Sequence, residues 1–152
     1  MNKYMKKALD EAYKGIRSGD GGPFGSVIVK GGEVIASGHN EVLKQGDPTC
    51  HGEIVTIRAA SRILGTHDLS GCEIYTTGEP CPMCLGAIMW ANIDKVYYGC
   101  NIADTDLIGF RDEAFYERAR DPHANGFIEE LDREACLELY KEYSEIKDKK
   151  IY

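Results

Sequence analysis

Two short motifs decide which parts of the chain must come together. Pro80-Cys81-Pro82-Met83-Cys84 places two thiols three positions apart, and His51-Gly52-Glu53 begins thirty residues before the first thiol. Two thiols at that spacing reach one ion when they stand at the start of a helix, and a histidine alongside supplies a third ligand. Three protein ligands leave a fourth position on Zn²⁺ for water, which is the arrangement of catalytic zinc sites. We therefore predict that His51, Cys81 and Cys84 bind zinc.

Glu53 lies two residues after His51, within reach of a zinc-bound water but outside the metal shell. We predict that Glu53 is the general acid/base, which takes a proton from that water and passes it to the substrate. One alternative is a redox pair of cysteines after a strand, but it gives no reason for the His-x-Glu motif. Another is a zinc module that only stabilises the fold, although such a site more often recruits a fourth Cys or His.

Length and charge narrow the class of protein. A chain of 152 residues fits one compact domain. Its net charge of −7 and pI near 5.1 disfavour a nucleic-acid substrate without excluding one, because phosphate binding uses Lys and Arg. No apolar run is long enough to cross a bilayer, and the first residues lack the apolar core of a signal peptide. We expect a cytoplasmic location, where a Cys-x-x-Cys motif indicates metal binding or redox work rather than disulfides.

Hydrophobic periodicity predicts alternating helices and strands. Strands are expected over 24–29, 34–40, 73–77 and 95–99, and helices from Asn2 to Ile16, over 50–64, over 82–91 and after a cap at Asp132. Gly31-Gly32 predicts an antiparallel hairpin, whereas the strand–helix–strand order in the middle of the chain predicts a right-handed parallel crossover. The sequence therefore predicts an α/β fold, a three-layer α/β/α sandwich with a mixed central sheet.

Several smaller predictions accompany this fold. The segment 101–126 is expected to be mostly loop, with a short helical piece at 113–118, and Phe127-Ile128 to be a short extended segment. The first helix should bury one stripe, comprising Met5, Ala8, Leu9, Ala12, Tyr13 and Ile16. Cysteines outside the motif are expected to be small buried hydrophobic residues; they are Cys50, Cys72, Cys100 and Cys136.

A flat substrate needs a slot beside the metal, and aromatic rings are suitable walls. Phe24 and Trp90 are the candidates, with an ordinary core position as the alternative for each.

The spacing His-x-Glu followed by Pro-Cys-x-x-Cys is the signature of zinc-dependent nucleobase deaminases. With these motifs the chain resembles the cytidine deaminase-like superfamily over nearly its whole length, and within it the small bacterial guanine deaminases. Other stretches share the resemblance; they are Gly21-Gly22-Pro23-Phe24-Gly25, Asp47-Pro48-Thr49 and Gly109-Phe110-Arg111-Asp112. The resemblance implies zinc-dependent hydrolysis that converts a free purine base, guanine, to xanthine and ammonia.

The zinc motifs are shared with tRNA adenosine deaminases and cytosine deaminases, so they do not choose the substrate. The resemblance implies that Asn40 holds the base by its amide and that Asp112 recognises the edge of the ring. Guanine presents N1–H and N2–H donors to a carboxylate, whereas adenine places an acceptor there. A tRNA-specific adenosine deaminase, or an enzyme acting on cytosine or guanosine, stays open as an alternative.

The chain ends in Lys149-Lys150-Ile151-Tyr152, which resembles the family's C-terminal tyrosine tail. The resemblance implies one deaminase domain over 1–152, whose last helix and tail (about 132–152) are exchanged in a homodimer. Tyr152 would then close the partner's active site. Three residues depart from the family pattern, namely Cys50 and Gly52, where alanine is usual, and Arg111, where a second acid is frequent.

Overall fold

The computed structural model describes residues 1–152 and has a four-stranded sheet at its centre. The strands are β1 (Gly25–Lys30), β2 (Glu33–His39), β3 (Cys72–Gly78) and β4 (Lys95–Cys100). Their spatial order is β2-β1-β3-β4. Strand β1 runs antiparallel to β2 and β3, whereas β3 and β4 are parallel, so the predicted mixed sheet is confirmed.

The chain also forms seven α-helices. They are α1 (Lys3–Ser18), α2 (Val42–Gln45), α3 (Gly52–Leu64), α4 (Pro82–Trp90), α5 (Ile102–Leu107), α6 (Asp112–Arg120) and α7 (Arg133–Glu145). None of them combines the length and apolar character that a membrane-crossing helix needs.

Two apolar clusters lie on opposite sides of the sheet. On one side, Ala8 of α1 packs with Val27, Val29 and Tyr75. The other cluster lies under α3 and α4 and comprises Ile28, Ala36, Ala60, Leu69, Cys72, Ile74, Ile88 and Ala91. Successive side chains of a strand point to opposite faces, as Val27 and Ile28 do here. Helices therefore cover both faces, and the predicted three-layer α/β/α sandwich is confirmed.

Helix α1 begins at the predicted cap, and its buried face includes Ala8 and Ala12 of the predicted stripe but not the whole stripe. The Asn2 side chain accepts hydrogen bonds of 2.9 and 3.1 Å from two N–H groups of the first turn. Tyr13 and Ile16, predicted to be buried, are exposed. The buried residues of α1 are Ala8, Ala12 and Gly15. The reason is close packing, because even a Cβ on Gly25 of β1 would lie 2.1 Å from the Ala8 carbonyl oxygen.

The region after β4 contains more helix than predicted. Helix α5 begins with a reciprocal capping box, in which the side chains of Asn101 and Asp104 each accept a 2.9 Å hydrogen bond from the other's backbone N–H. The prediction of a mostly irregular 101–126 segment was therefore wrong. Phe127 has helical backbone angles (φ −70°, ψ −33°), so the predicted extended segment does not form there. Asp132 adopts a left-handed conformation and makes no side-chain cap to α7.

The free cysteines divide into two groups. Cys50 and Cys72 are buried, as predicted, but Cys100 and Cys136 are exposed. Cys136 belongs to α7, in which every residue is exposed. Helix α7 thus makes no buried contact with the remainder of its own chain, although its sequence has an apolar face.

Candidate active site

The three predicted zinc ligands meet at one point. The Nδ1 atom of His51 lies 3.5 Å from Cys81 Sγ and 3.5 Å from Cys84 Sγ. Tetrahedral zinc, with Zn–S of about 2.3 Å and Zn–N of about 2.0–2.1 Å, separates sulfur from nitrogen by about 3.5 Å. The donor atoms therefore fit a zinc ion in both type and spacing, and no fourth Cys, His or acidic ligand belongs to the group.

Two helix starts place these ligands. His51 is the N-cap of α3, and Cys81 is the N-cap of α4, each with extended backbone angles. Pro82 follows as the first helical residue, where its fixed φ suits the helix and its missing N–H is not needed. Cys84 lies in the first turn of α4, and its N–H donates to Cys81 Sγ at 3.5 Å. The exposed N–H groups of a helix start favour thiolates.

The electrostatics of the metal group favour a thiolate at Cys81, whereas the hydrogen bond with Cys81 and burial raise the pKa of Cys84. Hydrogen bonds from Cys84 and His51 hold the pKa of Cys81 down to about 4, although burial opposes them. The hydrogen bond between His51 and Cys81 raises the pKa of the histidine. One negative thiolate beside these donors is the charge pattern that a divalent cation would neutralise.

Glu53 is enclosed beside the ligands. The residue is 6% exposed, and burial raises the pKa of its carboxyl group. Its Oε2 atom accepts from the Cys84 thiol at 3.4 Å. Thr76 Oγ1 lies 3.5 Å from Oε1, but the Thr76 hydroxyl gives its single proton to the Gly78 carbonyl at 2.7 Å. No cation is paired with this carboxyl group, which suits a group that must take up and release protons.

A cavity of about 360 Å³ opens beside His51. This volume is within the range of small-molecule sites, roughly 300–1,000 Å³. Its lining comprises Gly21, Gly22, Asn40, Val42, Leu43, Pro48, His51 and Phe110. The predicted base-binding residue Asn40 is thus brought together with the zinc ligand. Its side-chain oxygen accepts from Val42 N–H at 3.1 Å, which leaves the amide NH₂ as the free donor.

The aromatic wall of this cavity is Phe110, whereas the predicted walls Phe24 and Trp90 are not part of its lining. Phe24 packs behind Phe110 in an edge-to-face arrangement, with ring centroids 4.8 Å apart. Gly22 lets both rings pack closely against the backbone, because a Cβ there would lie 2.8 Å from each ring. Phe110 belongs to the stretch Gly109-Phe110-Arg111-Asp112, which shares the family resemblance. Its position next to Asp112 could have indicated that it lies at the substrate site.

Asp112 begins α6 near enough to Cys81 and His51 for their charges to act on it, but it does not line the cavity beside His51. Burial raises the pKa of its carboxyl group, and the negative charge of Cys81 raises it further, while His51 lowers it. One turn later, the Tyr116 hydroxyl donates to the carbonyl oxygen of Pro80. Tyr116 therefore ties the helix that bears Asp112 to the loop that bears Cys81.

Two predicted substrate residues lie elsewhere in the chain. Trp90 ends α4, is 68% exposed and does not line the cavity beside His51, so it is not a wall of that slot. Trp90 lies at the opposite end of α4 from Cys81 and Cys84, which begin the helix at the metal group. Tyr152 lies near Trp90 and His67, with ring centroids 6.0 and 5.9 Å away. The tail thus does not enter the site of its own chain.

The three departures from the family pattern have local explanations. A Cβ at Gly52 would lie 2.8 Å from the carbonyl oxygen of Phe24, the residue before β1. Glycine therefore permits the start of α3 to approach the start of β1 closely. The guanidinium of Arg111 lies 4.9 Å from the centroid of the Phe115 ring. Cys50 is held between Asp47 and Arg58, with its Sγ 3.4 Å from Asp47 Oδ2, and takes no part in the metal group.

A histidine and two cysteines at helix starts, with a buried glutamate beside them on an α/β/α sandwich, define the class of hydrolytic deaminases with a zinc-binding region. Residues 1–100 match the family model of the cytidine and deoxycytidylate deaminase zinc-binding region. The chain belongs to this family.

Individual relatives extend the match. Guanine deaminase of Bacillus subtilis is 45% identical over 119 residues, which cover 78% of this chain and 76% of the relative. The crystal structure of guanine deaminase from Bacillus subtilis superposes with a TM-score of 0.93 at 39% identity, covering 100% of this chain and 99% of that chain. A tRNA-specific adenosine deaminase of Aquifex aeolicus is 44% identical over 95 residues, 62% of each chain.

Proposed function

We propose that this protein hydrolyses guanine to xanthine and ammonia, with Zn²⁺ held by His51, Cys81 and Cys84. The observation that supports guanine over other bases is the half-buried Asp112 beside the metal group. A carboxylate accepts from the N1–H and N2–H donors of guanine, which lie on one edge of the ring. Adenine has an acceptor at N1, and it would face this carboxylate unfavourably.

The residues of the chain divide the chemical work. Zinc, when bound, supplies a water nucleophile that ionises near neutral pH. Glu53 accepts the proton from the attacking water, delivers it to the ring nitrogen beside the reacting carbon, and assists the departure of ammonia. Asn40 and Asp112 orient the ring, and Phe110 covers one wall so that the reacting carbon faces the water.

The second candidate is adenosine deamination in tRNA, which the Aquifex aeolicus relative supports. That relative and this chain match over 95 residues, whereas the match to the Bacillus subtilis guanine deaminase covers 119 residues. The net charge of −7 also disfavours a polyanionic substrate. We therefore favour a free base over tRNA as the substrate. A cytoplasmic location stays a prediction.

An ammonia-release screen tests this proposal. Zinc-loaded protein is incubated with guanine, cytosine, adenine, guanosine and tRNA, and ammonia is measured together with the deaminated product. We expect guanine to give the highest kcat/KM and xanthine as product. Preferential conversion of adenosine in tRNA, with guanine inert, would support the second candidate and refute the first.

Replacing Asp112 with asparagine should lower kcat/KM for guanine by about 10- to 100-fold, because hydrogen bonds to a charged group contribute roughly 1.5–3 kcal/mol. Zinc content should not change, since Asp112 is not one of the three ligands. Glu113→Gln is the matched control, because Glu113 is the next residue of α6 and is exposed. Unchanged guanine kinetics in Asp112→Asn would show that this carboxylate does not bind the base.

We also propose a homodimer that exchanges α7 and the tail. Exposed apolar surface supports it, since all of α7 is exposed, and Tyr97 and Tyr98 of the edge strand β4 are 40% and 49% exposed. Large exposed apolar areas mark association surfaces, and an exchanged element gives a closed symmetric dimer. The match to the Bacillus subtilis structure covers 100% of this chain, so it includes α7 and the tail.

Deletion of residues 148–152 tests the exchange. If Tyr152 closes the partner's site, the truncated protein should keep its zinc but show a raised KM or lowered kcat. Mixing it with full-length Glu53→Gln should restore part of the activity, because one site in the heterodimer combines an intact Glu53 with an intact tail. Mixing with Glu53→Gln/Tyr152→Ala is the control and should restore none. Wild-type kinetics from the truncated protein would show that the tail is not a lid.

A further inference from the structure

A second cluster of charged side chains lies outside the catalytic chemistry. His39, the residue before Asn40, is 4% exposed, yet both of its ring nitrogens face carboxylates. Its Nδ1 atom is 3.0 Å from Glu11 Oε2, and its Nε2 atom is 2.8 Å from Asp20 Oδ2. Each nitrogen can donate to its carboxylate only when both carry a proton. The group therefore joins two acids from different elements through one buried ring.

The surroundings of the ring are built to hold it. A Cβ on Gly15 would lie 2.6 Å from His39 Cδ2, so only glycine lets the ring pack against α1. Burial raises the pKa of Glu11, but hydrogen bonds from His39 and Ser37 outweigh it and lower the pKa overall. The hydrogen bond from His39 likewise lowers the pKa of Asp20. Both acids are thus stabilised in their charged forms.

Asp20, His39 and Glu41 each bring one potential ligand atom within 4.8 Å of the others, but other side chains of the protein already contact these atoms. The two ring nitrogens of His39 face the carboxylates of Glu11 and Asp20 at 3.0 and 2.8 Å. The nearby cation is Lys44, whose Nζ lies 3.8 Å from Asp20 and 3.2 Å from Glu41. Lys14 also adds positive charge near Glu11 and Asp20. The negative charges are already balanced by side chains.

Asp20 and His39 are connected to the substrate cavity through neighbouring residues, and Glu11 reaches it only through His39. The backbone oxygen of Asp20 accepts from the N–H groups of Leu43 and Lys44 at 3.0 Å, which anchors the helix α2 that lines the cavity. The next residue, Gly21, lies so close to Asn40 that a Cβ would be 2.0 Å from the Asn40 side-chain oxygen. Movement of Asp20 would therefore move Gly21, α2 and the amide of Asn40 together.

We propose that Glu11, His39 and Asp20 form a buried ionic clamp that positions the Asn40 amide and the Gly21 wall for binding the base. The inference rests on the proposed function, because it assigns these residues a role in holding the base. They are positioning residues, since none of them lines the cavity. Asn40 would hold the ring away from the reacting carbon, so its displacement weakens ground state and transition state alike and raises KM more than it lowers kcat.

The test removes charge while keeping side-chain size. Asp20→Asn and Glu11→Gln should each raise KM for guanine by about tenfold, because each weakens a charge-assisted hydrogen bond. Zinc content and kcat should stay near wild type. Asp10→Asn is the control, because Asp10 neighbours Glu11 on α1 but pairs with Lys6 at the surface. If His39 links the two acids, Asp20→Asn should have little further effect in a His39→Gln background.

Equilibrium binding of guanine to the same variants in a Glu53→Gln background keeps the test independent of turnover. A wild-type KM and an unchanged Kd in both Asp20→Asn and Glu11→Gln would overturn the clamp and leave the proposed function intact. A fall in zinc content and kcat in step with the rise in KM would also overturn it, since the cluster would then be a general stabiliser. Wild-type protein that neither binds nor converts guanine would refute both proposals.

Discussion

Glu53→Gln is expected to lower kcat by about 10²- to 10⁴-fold, the usual contribution of a positioned general acid/base. Glutamine keeps the shape of the side chain but cannot take a proton from water or return it to the ring. The carboxyl group is buried beside Cys84 and is not a member of the His51, Cys81 and Cys84 group. The protein should therefore keep its zinc and its fold.

Zinc analysis, thermal unfolding and single-turnover kinetics check this expectation. Glu33→Gln serves as the control, because Glu33 is exposed at the start of β2. Turnover near the wild-type rate in Glu53→Gln would mean that another group moves the proton. Loss of zinc would instead place Glu53 among the ligands.

Cys81→Ser is expected to abolish both zinc binding and activity, and to lower the free energy of unfolding. The pKa of the Cys81 thiol is lowered to about 4, so Cys81 is a thiolate at neutral pH. A serine hydroxyl at the same position stays protonated at neutral pH and is therefore a poor replacement for a thiolate ligand. Metal binding is coupled to folding, so lost zinc affinity also appears as lost stability. Metal analysis and chemical unfolding with and without added zinc measure the two effects.

Cys100→Ser is the matched control, because Cys100 is exposed and belongs to no metal group. It should retain full zinc content and activity. Full zinc occupancy in a variant that lacks all three side chains of His51, Cys81 and Cys84 would disprove the ligand assignment.

The metal group was predictable from sequence because its chemistry fixes residue types and spacing. His51 and Cys81 each begin a helix. Pro82 marks the start of α4 in the sequence. The sheet was predictable for a similar reason, since period-two strands and the Gly31-Gly32 turn are local signals. These parts of the fold can therefore be recognised from short stretches of sequence.

Other features depend on how the elements pack. The face of α1 turned toward the sheet is chosen by small side chains and by Gly25, which a hydrophobic stripe does not reveal. Phe110 rather than Trp90 lines the cavity. Phe110 lies between α5, which was not predicted, and α6, which was predicted at 113–118 and whose Tyr116 bonds to Pro80 beside the metal ligands. The His39 cluster joins residues nineteen and twenty-eight positions away along the chain, so no local pattern predicts it.

The sequence of α7 alone does not show what its apolar face packs against. Its apolar residues predict burial, yet all of them are exposed in the single chain. A pattern of this kind states that a surface must be covered but not which chain covers it. The exchange of α7 therefore stays a prediction, to be tested by the mixing experiment with truncated protein.

The most direct measurement follows zinc content and xanthine formation in the same samples, as zinc is removed with a chelator and then restored. We predict about one zinc per chain, equal amounts of xanthine and ammonia from guanine, and a rate that falls and recovers with zinc content. Guanine hydrolysis that persists after zinc is removed, or fully zinc-loaded protein that forms no xanthine, would contradict the assignment of this site as a zinc-dependent guanine deaminase.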